Sequence, residues 1–149
     1  MRGCICGELA DFGNMTVREH YAFNHNIKDM ELLEYTVRDV APMFLPAFTK
    51  FLFGYKMFTC NMFVMKRSDF LEMIDFIFKI LDEFTRRLGT DIESHVTDAF
   101  RKGLLRLGSV KHQSRIGGYI GERLVSAYIM WKFQNAYVAG MTITGDRIR

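Results

Sequence analysis

Residues 59–70 read TCNMFVMKRSDF, and the way this stretch divides decides the fold. An apolar run, too short for a long helix, stops at Lys66-Arg67, and Ser68 then stands where a helix can begin. The run predicts a strand over 57–65. Beyond it Phe70, Met73, Ile74, Ile77, Phe78, Leu81, Phe84 and Leu88 recur at spacings of three and four. Glu72, Lys79, Glu83 and Arg86 fill the opposite side. That periodicity predicts an amphipathic helix, capped by Ser68 and ended by Gly89. One residue fits the strand poorly: Asn61 is an amide in an apolar run. A buried amide must be hydrogen-bonded. Asn61 is therefore either a core residue bonded to loop backbone or a strand-end residue whose donors and acceptor can grip sugar hydroxyls.

Working outward, helices dominate. Thr16-Val17-Arg18-Glu19 is a capping box that predicts a short helix to about Phe23, broken by Asn24-His25-Asn26. Asp29 is read as the cap of a second helix over 30–40, closed by Pro42. Residues 42–58 are the most apolar part of the chain, with Pro46 in the first turn of a helix ending near Gly54. This segment is either a core helix or a membrane-facing patch of Phe44, Phe48, Phe51 and Phe53, with Lys50 and Lys56 at headgroup level. A weaker helix over 92–106 is limited by Gly103 and Gly108. A strong one over 114–133 has the stripe Ile116, Tyr119, Ile120, Leu124, Ala127, Tyr128 and Trp131. Residues 135–144 look β-like, and 1–14 read as an irregular N-terminal segment, a loop or short strand. The order of elements gives an α-rich α+β domain over 15–145, or the back half of something larger.

Composition narrows the function. The chain has 149 residues, 49% hydrophobic and 25% charged, which suits one folded domain. Its 14 Phe and 10 Met make a bulky, adaptable core. A net charge of +3 suits an anionic ligand or surface, and without a Lys/Arg run or recognition motif it argues against nucleic acid. Cys4, Cys6 and Cys60 are odd in number and sparse, which reads as free thiols in a reducing, cytoplasmic setting. Cys4-x-Cys6 lacks a second ligand pair, so no metal site is expected. No apolar stretch reaches the roughly 20 residues that span a bilayer. The phosphate-loop, dinucleotide and Gly-x-Ser-x-Gly patterns and any Asp-x-Asp pair are absent from the sequence. His20, His25, His95 and His112 are scattered and read as surface or capping residues.

One constellation does carry chemistry: SRIGGYIGERL, residues 114–124. Arg115, Gly118 and Glu122 share a helix face, and three glycines (117, 118, 121) sit in the pattern at roughly 1 kcal/mol each against alanine. Such glycines allow close approach of a backbone or a ligand. Arg115 could grip a phosphate or carboxylate, and Glu122 could orient or deprotonate a hydroxyl. The plainer reading is an internal Arg–Glu pair with tight helix packing.

CNMFVMKRSDFLEMIDFIFKILDEF (60–84) followed by SRIGGYIGERLVSAYI (114–129) resembles the C-terminal part of a bacterial glycosyltransferase-like family. Its members occur in capsular, exopolysaccharide and O-antigen gene clusters, some of them as galactofuranosyltransferases. The shared motifs are Asn61-Met62-Phe63, Phe70, and Arg115, Gly118, Tyr119, Glu122, Arg123 and Leu124. The segment 16–33 is similar as well, so the likeness covers about 16–132. It implies a partial GT-A-like α/β fold lacking the N-terminal nucleotide-binding half, and hence a truncated chain, weakly active or inactive alone. The intact family would move a hexosyl group from a nucleotide sugar to a glycan or lipid-linked acceptor, with a divalent metal open in intact homologues and no cofactor evident here. The resemblance makes Glu122 the catalytic residue and Asn61, Arg115, Gly118 and Arg123 substrate-binding. Localisation would be cytoplasmic, with peripheral contact at the inner face of the membrane. The alternative is a non-catalytic helical module that binds a membrane surface or partner protein through 43–58.

Overall fold

The computed structural model describes residues 4–133 and 136–138. The elements are β1 (Cys4–Cys6), β2 (Leu9–Asp11), α1 (Val17–Asn24), α2 (Ile27–Val40), α3 (Leu45–Leu52), β3 (Lys56–Phe58), β4 (Phe63–Met65), α4 (Arg67–Leu88), α5 (Ile92–Arg101), α6 (Val110–Gln113), α7 (Ile116–Lys132) and β5 (Tyr137–Val138). This is an α+β architecture. The strands β1 and β2 fall within the segment read as irregular. Of the β-like stretch 135–144, β5 is described, and the rest lies outside the described residues.

The helices begin and end for local reasons. Thr16 forms the expected capping box with Glu19 at the start of α1. Asn26, not Asp29, caps α2 by accepting the Lys28 amide. Asp29 is instead buried, and its carboxylate meets His95 Nε2 of α5 at 2.7 Å. A residue of the first helical turn that faces another helix cannot also turn back to cap its own. Ser68 does not cap α4 either. The strand β4 runs straight into the helix, so the extended residue at the junction is Lys66 and Ser68 already lies inside the first turn. Gly89 ends α4 with φ 93°, as expected of a helix stop.

The core is one cluster. Along α4 it takes Met73, Ile77, Ile80 and Phe84, while Phe78 at 53% exposure and Phe70 stand off that stripe. Along α7 it takes Ile116, Ile120, Leu124, Ala127, Tyr128 and Ile129, together with the polar Arg123 and Ser126; Tyr119 and Trp131 are only half-buried. Helix α4 packs on α2 and α7, and α3 packs on α7. Phe44, Phe48 and Phe51 are buried in this core, where Phe44 meets Phe76 edge-on with ring centres 5.2 Å apart. Of the proposed membrane-facing phenylalanines, only Phe53 is exposed. Among the described residues no helix is long and apolar enough to cross a membrane.

The sheets explain the opening stretch. What reads as one strand over 57–65 is two. β3 pairs antiparallel with β2, while β4 pairs antiparallel with β1, whose other edge takes β5 in parallel. Cys6 faces Phe63 and Leu9 faces Phe58, so the two residues 7–8 are opposed by the four residues 59–62. The surplus forms a bulge, closed by Gly7 N–H donating to Met62 O at 2.7 Å and Thr59 N–H donating to Glu8 O at 3.2 Å. Within it Cys60 and Asn61 both take left-handed backbone, with φ 65° and 48°. Gly7 permits the close approach: a Cβ there would stand 3.2 Å from Met62 Cβ.

Candidate active site around the bulge and α7

Helix α7 is stapled to the end of β3 and to the bulge after it, at two points one turn apart. Ser126 Oγ accepts the Phe58 amide at 2.9 Å, and Glu122 Oε1 accepts the Cys60 amide at 2.6 Å. Residues i and i+4 share a helix face, which lets one face hold both amides. The charge-assisted Glu122 bond offsets part of the cost of left-handed backbone in a non-glycine residue. Asn61 beside it is exposed, not a buried strand residue. Its amide side chain suits the left-handed backbone, a conformation that asparagine tolerates better than most. The two separate motifs, Asn61-Met62-Phe63 and Glu122-Arg123-Leu124, thus meet at the Cys60–Glu122 hydrogen bond.

From there a cavity of about 310 Å³ opens, lined by Glu122, Arg123, Tyr119, His20, His25 and His112 among others. Arg123 is 2% exposed. Its Nη1 donates to the Tyr119 carbonyl at 3.0 Å, its Nη2 to His20 Nδ1 at 3.2 Å, and its guanidinium lies over the Tyr21 ring at 4.8 Å. Glu122 Oε2 is 4.0 Å from Nη1. This is a loose pair between sequence neighbours, not a fork; the internal pair of the plain reading, Arg115 with Glu122, is not among the ion pairs of the described residues. Burial pulls the Arg123 pKa down from its ordinary value.

The histidines are held in defined tautomers by their neighbours. Gln113 Nε2 donates to the carbonyls of Asn24 and Leu107, which turns Gln113 Oε1 toward His25 Nδ1 at 2.9 Å. His25 therefore carries its proton on Nδ1, and Nε2 is the site where a second proton would add. His25 stacks on Tyr119 with ring centres 4.0 Å apart. His20 stacks on Phe12 and accepts from Arg123. Burial, reinforced by Arg123, holds His20 below its usual range; burial above all holds His25 down at about 4. The site is thus a polar cavity with a buried cation, the imidazoles of His20 and His25 held toward their neutral forms, and one carboxylate in its lining.

The other residues singled out in the sequence fall around this cavity rather than in it. Arg115 is the exposed N-cap of α7 and does not line the cavity. A Cβ at Gly117 or Gly118 would meet nothing within 4 Å, and at Gly121 only Leu81 Cδ1 at 3.9 Å. The expected close backbone packing at these glycines is not found; the first turn of α7 is simply bare. His112 is exposed and His25 is the C-cap residue of α1, in keeping with the surface or capping reading, yet both line the cavity together with His20. No local signal marks them, because α1, the α1–α2 junction and α6 contribute one each and only tertiary packing joins them. Among the described residues no group of three or more His, Cys, Asp or Glu is arranged to hold a metal ion. The buried thiols of Cys4 and Cys6 lie 3.5 Å apart on one face of β1.

Residues 3–134 match a domain of unknown function, DUF4422. The chain belongs to this family. Among solved structures, the apo form of the WbbM bifunctional glycosyltransferase superposes on 92% of this chain with a TM-score of 0.67 at 20% identity. The family member described here spans 22% of that longer chain. The likeness establishes a shared fold with part of a glycosyltransferase. No match was found among curated protein sequences.

Proposed function

We propose that this DUF4422 domain is the acceptor-side part of a GT-A-like glycosyltransferase of surface-polysaccharide assembly (capsule, exopolysaccharide or O-antigen). In the intact reaction a hexosyl group passes from a nucleotide sugar to a glycan or lipid-linked acceptor. The observation that carries this reading is the Cys60–Glu122 hydrogen bond, which brings the two family-like motifs together at the mouth of one polar cavity. Glu122 Oε1 is held by the bulge, so its orientation is fixed, and Oε2 is the oxygen that takes up or orients the acceptor hydroxyl proton. Asn61 and Arg123 contact the sugar and its charged group. Arg115 and Gly118 lie further up α7, along the bare first turn that leaves room for substrate. The strands β1 and β2 of the segment 1–14 belong to the same domain as 15–145, which works at the cytoplasmic face of the membrane.

Amide chemical-shift mapping on ¹⁵N-labelled protein tests this reading. Acceptor oligosaccharides should perturb Cys60, Asn61, Gly118 and Glu122, and nucleotide sugars should bind weakly or not at all. Saccharide effects confined to residues away from the bulge and α7 would overturn it.

A further inference from the structure

Arg123 presents an unsolved problem of charge. Its side chain is only 3% exposed, yet among the described residues no carboxylate hydrogen-bonds to it. Its two terminal nitrogens are taken by a carbonyl and a neutral imidazole, and its buried Nε has no hydrogen-bond partner among the described residues. Tyr21 Oη, on the ring beneath, likewise has none. Burying an ion without a close countercharge costs several kcal/mol. The surrounding groups relieve it only in part: the one carboxylate that lines the cavity, Glu122, stands 4.0 Å from Nη1 and has its Oε1 engaged by the bulge, and the other polar rings are imidazoles. The cavity is large enough for more than a water molecule, at about 310 Å³.

The geometry points to an anion site: this cavity takes one phosphate or carboxylate group, which supplies the countercharge for Arg123 and lies among His20, His25 and His112. The inference rests on the transferase reading only for the source of the anion, either the diphosphate of a nucleotide sugar or the carboxylate of an acidic saccharide. A guanidinium in a partly dry cavity is suited to either group, and neutral imidazoles can donate to it or become protonated beside it.

A consequence is linkage to protons. The polar and charged groups around His25 are Tyr21 and His20 from α1, His112 and Gln113 from α6, and Tyr119 and Arg123 from α7; Glu122 of α7 and Arg106 of the 103–107 turn line cavities that His25 also lines. Without an anion, burial, together with Arg123, His112 and His20, disfavours the imidazolium. An anion reverses the electrostatic part of that penalty, so His25 gains a proton on Nε2 as the anion binds. Affinity must then rise as pH falls through the range in which the bound form is protonated and the empty form is not. For one proton the rise is at most about tenfold per pH unit.

The experiment is histidine C2–H NMR on the whole chain between pH 4 and 8, with none, inorganic pyrophosphate, or glucuronate added at equal ionic strength. The expected result is an upward shift of the His25 midpoint by about one unit or more with at least one anion, and tighter binding at pH 5.5 than at 7.5. A response to pyrophosphate alone assigns the diphosphate source, to glucuronate alone the acidic saccharide, and to both a site that reads charge only. The shift should be lost in Arg123→Met. His112→Ala, at an exposed position that spares the core, should weaken binding several-fold and covers the case in which Arg123→Met does not fold. No shift with either anion, or an undiminished response in His112→Ala and in folded Arg123→Met, would overturn the inference. Neither outcome depends on sugar transfer, so the anion site and the transferase reading can fail separately.

Discussion

Replacing Ser126 by alanine removes one oxygen from the seam between α7 and β3. Ser126 is fully buried, and its hydroxyl accepts the amide of Phe58, itself only 8% exposed. Alanine occupies the same space and is a slightly better helix former, so the cost comes from the orphaned amide. A buried donor without an acceptor costs about 1–3 kcal/mol. Offset by the helix preference and by relief of a buried hydroxyl, the net loss is about 1.5 kcal/mol. For a domain of this size that lowers Tm by roughly 3–6 °C. Circular-dichroism melts give the Tm, and amide hydrogen exchange should show faster opening at Phe58 than in the parent. A Tm within about 1 °C of the parent, with unchanged exchange at Phe58, would refute the claim that this bond pins the end of β3 to α7.

Three further outcomes follow from the same geometry. Asn61→Gly should leave stability within about 0.5 kcal/mol, while Asn61→Val, a branched residue at φ 48°, should lose about 1–2 kcal/mol in urea melts; equal values for the two would deny the left-handed bulge. His25 is held at about 4 against an ordinary value near 6.5, so the unfolded chain binds more protons between those pH values. Stability should therefore be fully present above about pH 6.5 and fall toward pH 4, by at most about 3 kcal/mol. His25→Gln should flatten that slope, and an unchanged slope would place the titration elsewhere. Phe51→Asp buries a charge in the core and should unfold the domain, whereas Phe53→Asp should leave it folded. Liposome co-sedimentation of the parent, abolished by Phe53→Asp, would revive the membrane-binding reading of 43–58.

The helices were legible in the sequence because each has its own local cause. The Thr16–Glu19 box, the proline in the first turn of α3, the periodicity of α4 and the glycine that ends it are all short-range signals. Boundaries failed where a tertiary partner outbid a local role. Asp29 left its cap for His95, and Ser68 was overtaken by a strand that enters the helix directly. The strand at 57–65 failed differently. Period-two alternation cannot reveal that two surplus residues bulge between two sheets, because register is a property of the partner strand. Asn61 is the visible trace of that bulge: of its two readings the buried core amide does not hold, and the residue stands exposed between two strands. For the site, the motif residues Glu122 and Arg123 could be picked out, but the imidazoles around Arg123 could not. Those residues are brought in by separate elements, and none has a spacing that encodes their meeting.

Glu122 has two roles here, and one substitution separates them. Glutamine keeps the Oε1 acceptor for the Cys60 amide but cannot take up a proton. Initial-rate measurement of sugar transfer by an intact family member carrying Glu→Gln at the position of Glu122, beside a thermal melt, is the most direct test. The expected result is a Tm within about 2 °C of the parent and a fall in kcat of about 10²-fold or more, as for the loss of a general base. Transfer at the parental rate with the same Tm would contradict the assignment and leave Glu122 only its hold on the bulge.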